Sequence, residues 1–264
     1  MKNLIFTIGI CMFIFGFSMS ACKSKNSNKS ETNETKIATG DTSENSLDWN
    51  GTYTGTVPCA DCAGIFTQIT LNADKTYSLK TNYVGKEGVG ENLKGTFQWD
   101  AAGKIITLSG LKDKSMPSSY QVGENKLIQL DMNGKVITGE LASNYVLTKV
   151  NENLVEKKWK LFELNGVAIS VKNPNPATEA FIMFQVDGNK VNGNSGCNNF
   201  AGTYKIDSGN QLHFSGMVST RKMCIDMSIE DKMNKLFPIV DSYTLQNDTL
   251  SLIQAANSLA RFKL

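Results

Sequence analysis

The chain has 264 residues, a formal net charge of +2, a hydrophobic fraction of 41% and a single histidine. That length suits one or two domains, and the hydrophobic fraction is ample for packed cores. Interspersed charges, with no basic block, RNP-like aromatic run or zinc-finger spacing, exclude nucleic acid as an expected partner.

Met1-Lys2-Asn3 is a short basic start, and Leu4 to Phe17 is an apolar run. The run falls short of the about 20 apolar residues that a bilayer-spanning helix needs, and no later segment approaches that length. Met19-Ser20-Ala21-Cys22 follows it, with a small residue directly before a cysteine. A lipoprotein signal peptidase cuts at such a place, although Met19 stands where these sites prefer Leu. The expectation is a leader over residues 1–21, lipid on Cys22, and a mature chain held on a membrane outside the cytoplasm; the alternatives are an ordinary cleaved secretory signal and an uncleaved anchor. Residues 22–48 are rich in Ser, Asn, Thr, Lys and Glu with almost no large apolar residue. Such composition cannot offset its ordering entropy, so this stretch is expected to be a disordered tether.

From Trp49 the pattern changes to short alternating runs broken by Gly, Asn, Asp and Lys. Strands are expected at 51–57, 65–71, 77–83, 95–99, 105–108, 120–122, 127–130 and 145–148, with turns such as Ala73-Asp74-Lys75 and Asn133-Gly134 between them. Many short strands at close spacing predict a small antiparallel barrel or sandwich over residues 49–150. Residues 151–157 are charged and polar and mark a boundary. A second block over 155–264 opens with Trp159-Lys160-Leu161-Phe162-Glu163-Leu164, and further strands are expected at 180–186, 190–193, 203–206, 212–214, 243–246, 249–253 and 260–264. Between them Ile229, Met233, Leu236 and Phe237 recur at helical spacing, with Ser228-Ile229-Glu230-Asp231 resembling a capping box and Pro238 ending the run. The fold class is therefore mainly β: a barrel followed by a β-rich module with one helix across the open side of a sheet.

Six cysteines are present. Cys11 lies in the leader and Cys22 at its end, which leaves Cys59, Cys62, Cys197 and Cys224, an even number suited to two bridges in an oxidising compartment. Spacing alone does not determine the pairing, but the proximity of Cys59 to Cys62 favours Cys59–Cys62 with Cys197–Cys224. A CxxC pair can be a redox centre, half a metal site or a local staple. A thioredoxin-like centre wants its first cysteine at a helix N-terminus. Here the flanks read as strand, turn and strand. Tetrahedral zinc needs four ligands, and the chain offers no second CxxC. By the loop-entropy relation, a closure this small removes only about 2 kcal/mol, against about 3.6 kcal/mol for a loop spanning Cys197 to Cys224. A bridge that contributes so little to the fold suits a redox or soft-metal switch as well as a turn lock.

Other groups carry less. Cys197 as a nucleophile would need His213 as its base, and a bridge to Cys224 explains it more simply. Met217, Met223, Cys224, Met227 and Met233 are soft ligands close in sequence, but Met233 falls on the helix's buried face. Arg221 is placed to pair with a carboxylate such as Asp226. No acid–base constellation supports an enzyme, and no metal or cofactor is assigned.

Tyr53-Thr54-Gly55-Thr56-Val57-Pro58-Cys59-Ala60-Asp61-Cys62-Ala63-Gly64-Ile65, with Thr67, Leu71 and Tyr77, resembles the N-terminal domain of the NlpE family of bacterial envelope lipoproteins over roughly residues 47–149. That resemblance implies a lipocalin-like barrel, copper tolerance and reporting of envelope stress to a signalling partner. Trp159-Lys160-Leu161 with Asn165-Gly166, then Gly193-Asn194-Ser195-Gly196-Cys197-Asn198-Asn199-Phe200, then Ser219-Thr220-Arg221-Lys222-Met223-Cys224, is similar to a META domain of the HslJ type over residues 155–264. It implies a link to stress tolerance and no established catalysis. NlpE of enteric bacteria carries a different C-terminal domain, which puts transfer of its partner in doubt. Together these readings predict a non-enzymatic lipoprotein of the outer membrane that senses or tolerates envelope stress. The alternative is a lipocalin-like barrel holding a small apolar ligand. A barrel lined by small residues would favour that alternative, and a filled one would disfavour it.

Overall fold

The computed structural model describes residues 40–111, 116–169, 179–207 and 210–264. The expected leader, Cys22 and most of the tether lie outside the described residues. Eight antiparallel strands form the first module: β1 (Gly51–Val57), β2 (Ile65–Leu71), β3 (Thr76–Tyr83), β4 (Asn92–Trp99), β5 (Ile105–Leu108), β6 (Ser119–Gly123), β7 (Lys126–Gln129) and β8 (Val146–Lys149). They pair in sequence order and close as a barrel through Tyr53↔Lys149 and Thr54↔Thr148. Alternation explains the strands: Tyr77 and Leu79 on β3 are buried while their neighbours Thr76, Ser78 and Lys80 are not. Closure needs a small residue where β8 crosses β1. A Cβ at Gly55 would sit 2.7 Å from the Val146 carbonyl oxygen and 2.8 Å from Leu147 Cδ2, so only glycine admits this approach.

The polar composition up to Asp48 predicts a solvated segment, but the structure packs the chain from Thr42 onward. A single helical turn, α1 (Ser43–Ser46), docks on the turns at one end of the barrel. Glu44 N–H donates to the Gly103 carbonyl at 3.0 Å, Ser43 Oγ to the Val122 carbonyl at 2.8 Å, and Lys75 pairs with Glu44 at 2.9 Å. Trp49 drives this. Its indole donates to the Glu44 carbonyl at 2.9 Å and its ring meets Phe97 and Trp99 edge-on, at 5.7 and 5.6 Å between centroids. Leu47 and Trp49 thus cover the barrel core, and that burial orders the polar residues before them.

The second module is a nine-stranded sheet made of β9 (Trp159–Leu164), β10 (Val167–Ala168), β11 (Phe181–Phe184), β12 (Lys190–Asn194), β13 (Asn199–Asp207), β14 (Gln211–Ser219), β15 (Ser242–Gln246), β16 (Thr249–Gln254) and β17 (Asn257–Lys263). The last strand returns to pair with the first, Ala260↔Leu164 to Lys263↔Lys160. β14 and β15 meet only at Gln211↔Ser242. Into the gap between them comes α2 (Ser228–Leu236), whose Met233 and Leu236 are buried with Phe237, and Phe237 packs on Phe200 and Phe214 at 4.9 and 5.3 Å.

Several local expectations change, among them the starts of β4 at Asn92 and of β17 at Asn257. β13 begins at Asn199 rather than 203, and β14 runs to Ser219 rather than 214. The second half of β14 was hidden because a bulge with Gly216 at φ 60° interrupts the alternation. β10 is too short to announce itself. The capping box does not form, since α2 starts at Ser228 and Asp226 Oδ1 accepts the Ser228 N–H at 2.9 Å; Glu230 turns inward instead.

The segment between the modules is itself packed. Leu154 and Val155 are buried in the second core, the Trp159 indole donates to the Leu154 carbonyl at 2.8 Å, and Val150 N–H donates to the Thr52 carbonyl at 2.7 Å. No helix among the described residues is long and apolar enough to cross a membrane.

Candidate functional site

Two cysteine loops carry the chemistry. The first is the β1–β2 connection, at the barrel end opposite α1. Cys59 and Cys62 are bonded to each other, with Cα atoms 5.3 Å apart, and both are half-buried. Asp61 between them is exposed and pairs with Lys86 from the β3–β4 connection. That lysine's hydrogen bond and charge hold the Asp61 carboxyl below the usual carboxylate range. Ligand atoms of Cys59, Asp61 and Cys62 lie within 4.8 Å of one another. A thiolate pair here would suit a soft ion, but bonded sulfurs cannot serve as thiolates.

The strands on either side of this bridge are paired right up to the loop. Val57↔Ile65 and Thr56↔Phe66 pair directly below it, and Val84 N–H donates to the Gly64 carbonyl at 2.9 Å above. Gly64, at φ 152°, turns the chain back into β2, and a Cβ there would strike Thr56 Cγ2 at 2.5 Å. Inside the barrel, Tyr53, Ile69, Leu79, Phe97, Ile106 and Leu127 are packed together and buried. Burial pushes the Tyr53 and Tyr120 phenols well above their ordinary pKa. An interior filled by large side chains weighs against the ligand-holding alternative.

The second loop joins β12 to β13, and Cys197 in it is bonded to Cys224. Sequence reasoning missed its centre. Asn198 is fully buried and Glu230 of α2 is 5% exposed. Asn198 donates from its backbone N–H to Glu230 Oε2 at 3.1 Å and from Nδ2 to the same carboxylate at 2.9 Å and to the Lys222 carbonyl at 3.0 Å. Its Oδ1 accepts from Thr220 Oγ1 and Lys222 N–H, both at 2.7 Å. A single amide thus ties the β12–β13 turn, the 220–222 strand exit and the helix together. The signal in the sequence was an acid on the inner side of an amphipathic helix, which reads as capping until the fold is known.

The other candidates do not converge. Cys197 is bonded, and His213 lies exposed opposite Lys205, so no Cys–His pair forms among the described residues. Met233 is fully buried, Met223 fully exposed and Cys224 bonded, so the soft ligands are scattered. Asp226 serves Ser228 rather than Arg221.

The NlpE N-terminal domain model matches residues 53–140, and the META domain model matches residues 152–264. The chain joins an NlpE N-terminal domain to a META domain. Solved structures similar to it include a candidate lipoprotein from Shewanella oneidensis, at 49% identity and a TM-score of 0.38, covering 42% of this chain and 96% of that one. Another is the Cpx pathway activator NlpE from Escherichia coli, at 18% identity and a TM-score of 0.29, covering 67% of this chain and 98% of that one. No curated protein matches. The CxxC loop thus belongs to the NlpE domain and the Asn198–Glu230 hub to the META domain. Neither family is known as enzymatic.

Proposed function

We propose that the chain is a lipoprotein of the bacterial envelope, anchored in the outer membrane through acylated Cys22. In this reading the NlpE-type barrel is a redox-sensitive reporter of envelope stress to a signalling partner, and the boundary with the META module falls at residues 150–155. The observation that carries it is the placement of the Cys59–Cys62 bridge. It sits half-exposed on a connection whose flanking strands are held by their own ladder of pairs, which in this reading lets it open while the barrel stays folded. Opening takes two electrons: a thiolate of an external dithiol attacks one sulfur, the second thiol resolves the mixed disulfide, and the reductant leaves oxidised. The freed thiolates of Cys59 and Cys62 then offer Cu(I) a soft pair, so oxidation and copper binding exclude one another. Association of the NlpE family with envelope stress supports the reporting role.

Alkylation of freshly trapped cells tests the redox state directly. Cells under reducing stress should show Cys59 and Cys62 labelled and Cys197 and Cys224 protected. Uniform protection of all four sinks the redox reading. For copper, the reduced chain should compete with a Cu(I) chelator and the Cys59→Ser, Cys62→Ser double variant should not; equal competition rules that pair out.

A further inference from the structure

The connection from β14 to α2 shows the two most exposed large apolar side chains among the described residues, Met223 at 99% and Ile225 at 110% of full exposure. Single exposed apolar residues are ordinary. These two differ in flanking an anchored residue. Cys224 between them is bonded to Cys197, Lys222 exchanges hydrogen bonds with Asn198 at 2.7 and 3.0 Å, and Thr220 N–H donates to the Asn199 carbonyl at 2.9 Å. The display therefore has an ordered backbone and no covering partner within the described residues. Arg221 and Lys222 flank it, and α2 exposes Lys232 and Lys235. Just before the loop, Val218 is 66% exposed and lines a groove of about 400 Å³ floored by Phe200, Phe214 and Phe237.

We propose that the tip at residues 220–227 docks on an anionic phospholipid surface. Met223 and Ile225 enter the headgroup–acyl boundary while Arg221, Lys222, Lys232 and Lys235 meet lipid phosphates. Apolar tips ringed by cations partition this way, because hydrophobic burial and attraction to anionic headgroups act together. Asp226 and Asp231 are exposed nearby and offset part of the charge. The balance remains basic, and Asp226 is engaged by the Ser228 N–H. A second copy fits this face less well, since a symmetric contact would set its cations against each other. An added peptide strand also fits less well. The free edge of β14 is broken by the bulge at Gly216, and a bulge interrupts the regular ladder that strand addition requires. The inference does not depend on the redox role of Cys59 and Cys62.

The test uses the intact chain with Met223→Trp, reconstituted into vesicles of phosphatidylethanolamine and phosphatidylglycerol, with emission of the unsubstituted chain subtracted. Position 223 is open to solvent, so the substitution leaves the fold alone. The added indole should shift to the blue and lose about half its emission to brominated acyl chains, as a side chain at the headgroup–acyl boundary does. Both effects should fade in phosphatidylcholine vesicles and at about 0.5 M salt, where the Debye length shrinks. A Lys94→Trp chain, reporting the exposed side of β4, should stay unquenched. Water-like, unquenched emission at 223 overturns the proposal. So does a blue shift without quenching, which a second copy or a bound peptide would produce.

Discussion

At the residue scale the decisive group is Asn198. Its amide satisfies a buried carboxylate, a hydroxyl and both backbone groups of Lys222, and no solvent reaches it. Removing one side of a buried hydrogen-bonded network strands the other, so Asn198→Ala should cost about 2–4 kcal/mol in urea unfolding. Asn198→Asp tests the same hub by pH. It sets two carboxyls together, and one of them must hold a proton, its pKa raised above the unfolded value. A raised carboxyl binds more protons folded than unfolded, so relative to the parent this variant should lose stability as pH rises above about 4. The parent shows the opposite linkage, and the variant retains it at every other carboxyl. Asp61, Asp74, Asp131, Glu179, Asp187, Asp226 and Asp241 are all held below their ordinary pKa, chiefly by hydrogen bonds. Its stability is present above the unfolded carboxylate pKa and drains as pH falls below about 4. In thermal melts from pH 3 to 8, the deficit of Asn198→Asp relative to the parent should widen as pH rises, and a constant deficit would contradict the hub. Cys59, Cys62, Cys197 and Cys224 were visible as candidates because thiols are few. Asn198 and Glu230 were not, because their meeting depends on a contact spanning 32 positions in sequence.

At the element scale the two bridges should separate in stability. Cys59→Ser with Cys62→Ser opens a loop of sequence separation 3, worth only about 2 kcal/mol of chain entropy. Cys197→Ser with Cys224→Ser opens one of separation 27, worth about 3.6 kcal/mol, and it also frees the loop that Asn198 holds. Leu154 offers a further check. It is fully buried, so Leu154→Ala should cost about 2–5 kcal/mol, and equal melting of variant and parent would show residues 151–157 to be a passive connector. The barrel strands were legible because each alternates and ends at a turn residue. The second half of β14 was illegible because its bulge breaks the period, and α1 because what orders it is Trp49, not its own polar residues.

For the whole molecule, a closed barrel and a nine-stranded sheet module are joined by a packed segment, and their cysteine loops have different characters. The META loop is bonded into a buried hub and displays an apolar tip. The NlpE-type loop is a short bridge at the end of a fully paired strand ladder. Composition and family-like motifs made both modules readable in order, but the roles of the two bridges follow from what surrounds them in space. The proposed function requires the first bridge to be a switch and not a support. A redox titration of the purified chain, with site-resolved thiol labelling and far-UV dichroism followed together, tests it most directly. Cys59 and Cys62 should become reduced at a potential above about −300 mV, as labile bridges do, with the β signal unchanged and the Cys197–Cys224 bridge intact. A bridge that stays closed until the barrel itself unfolds would contradict the account.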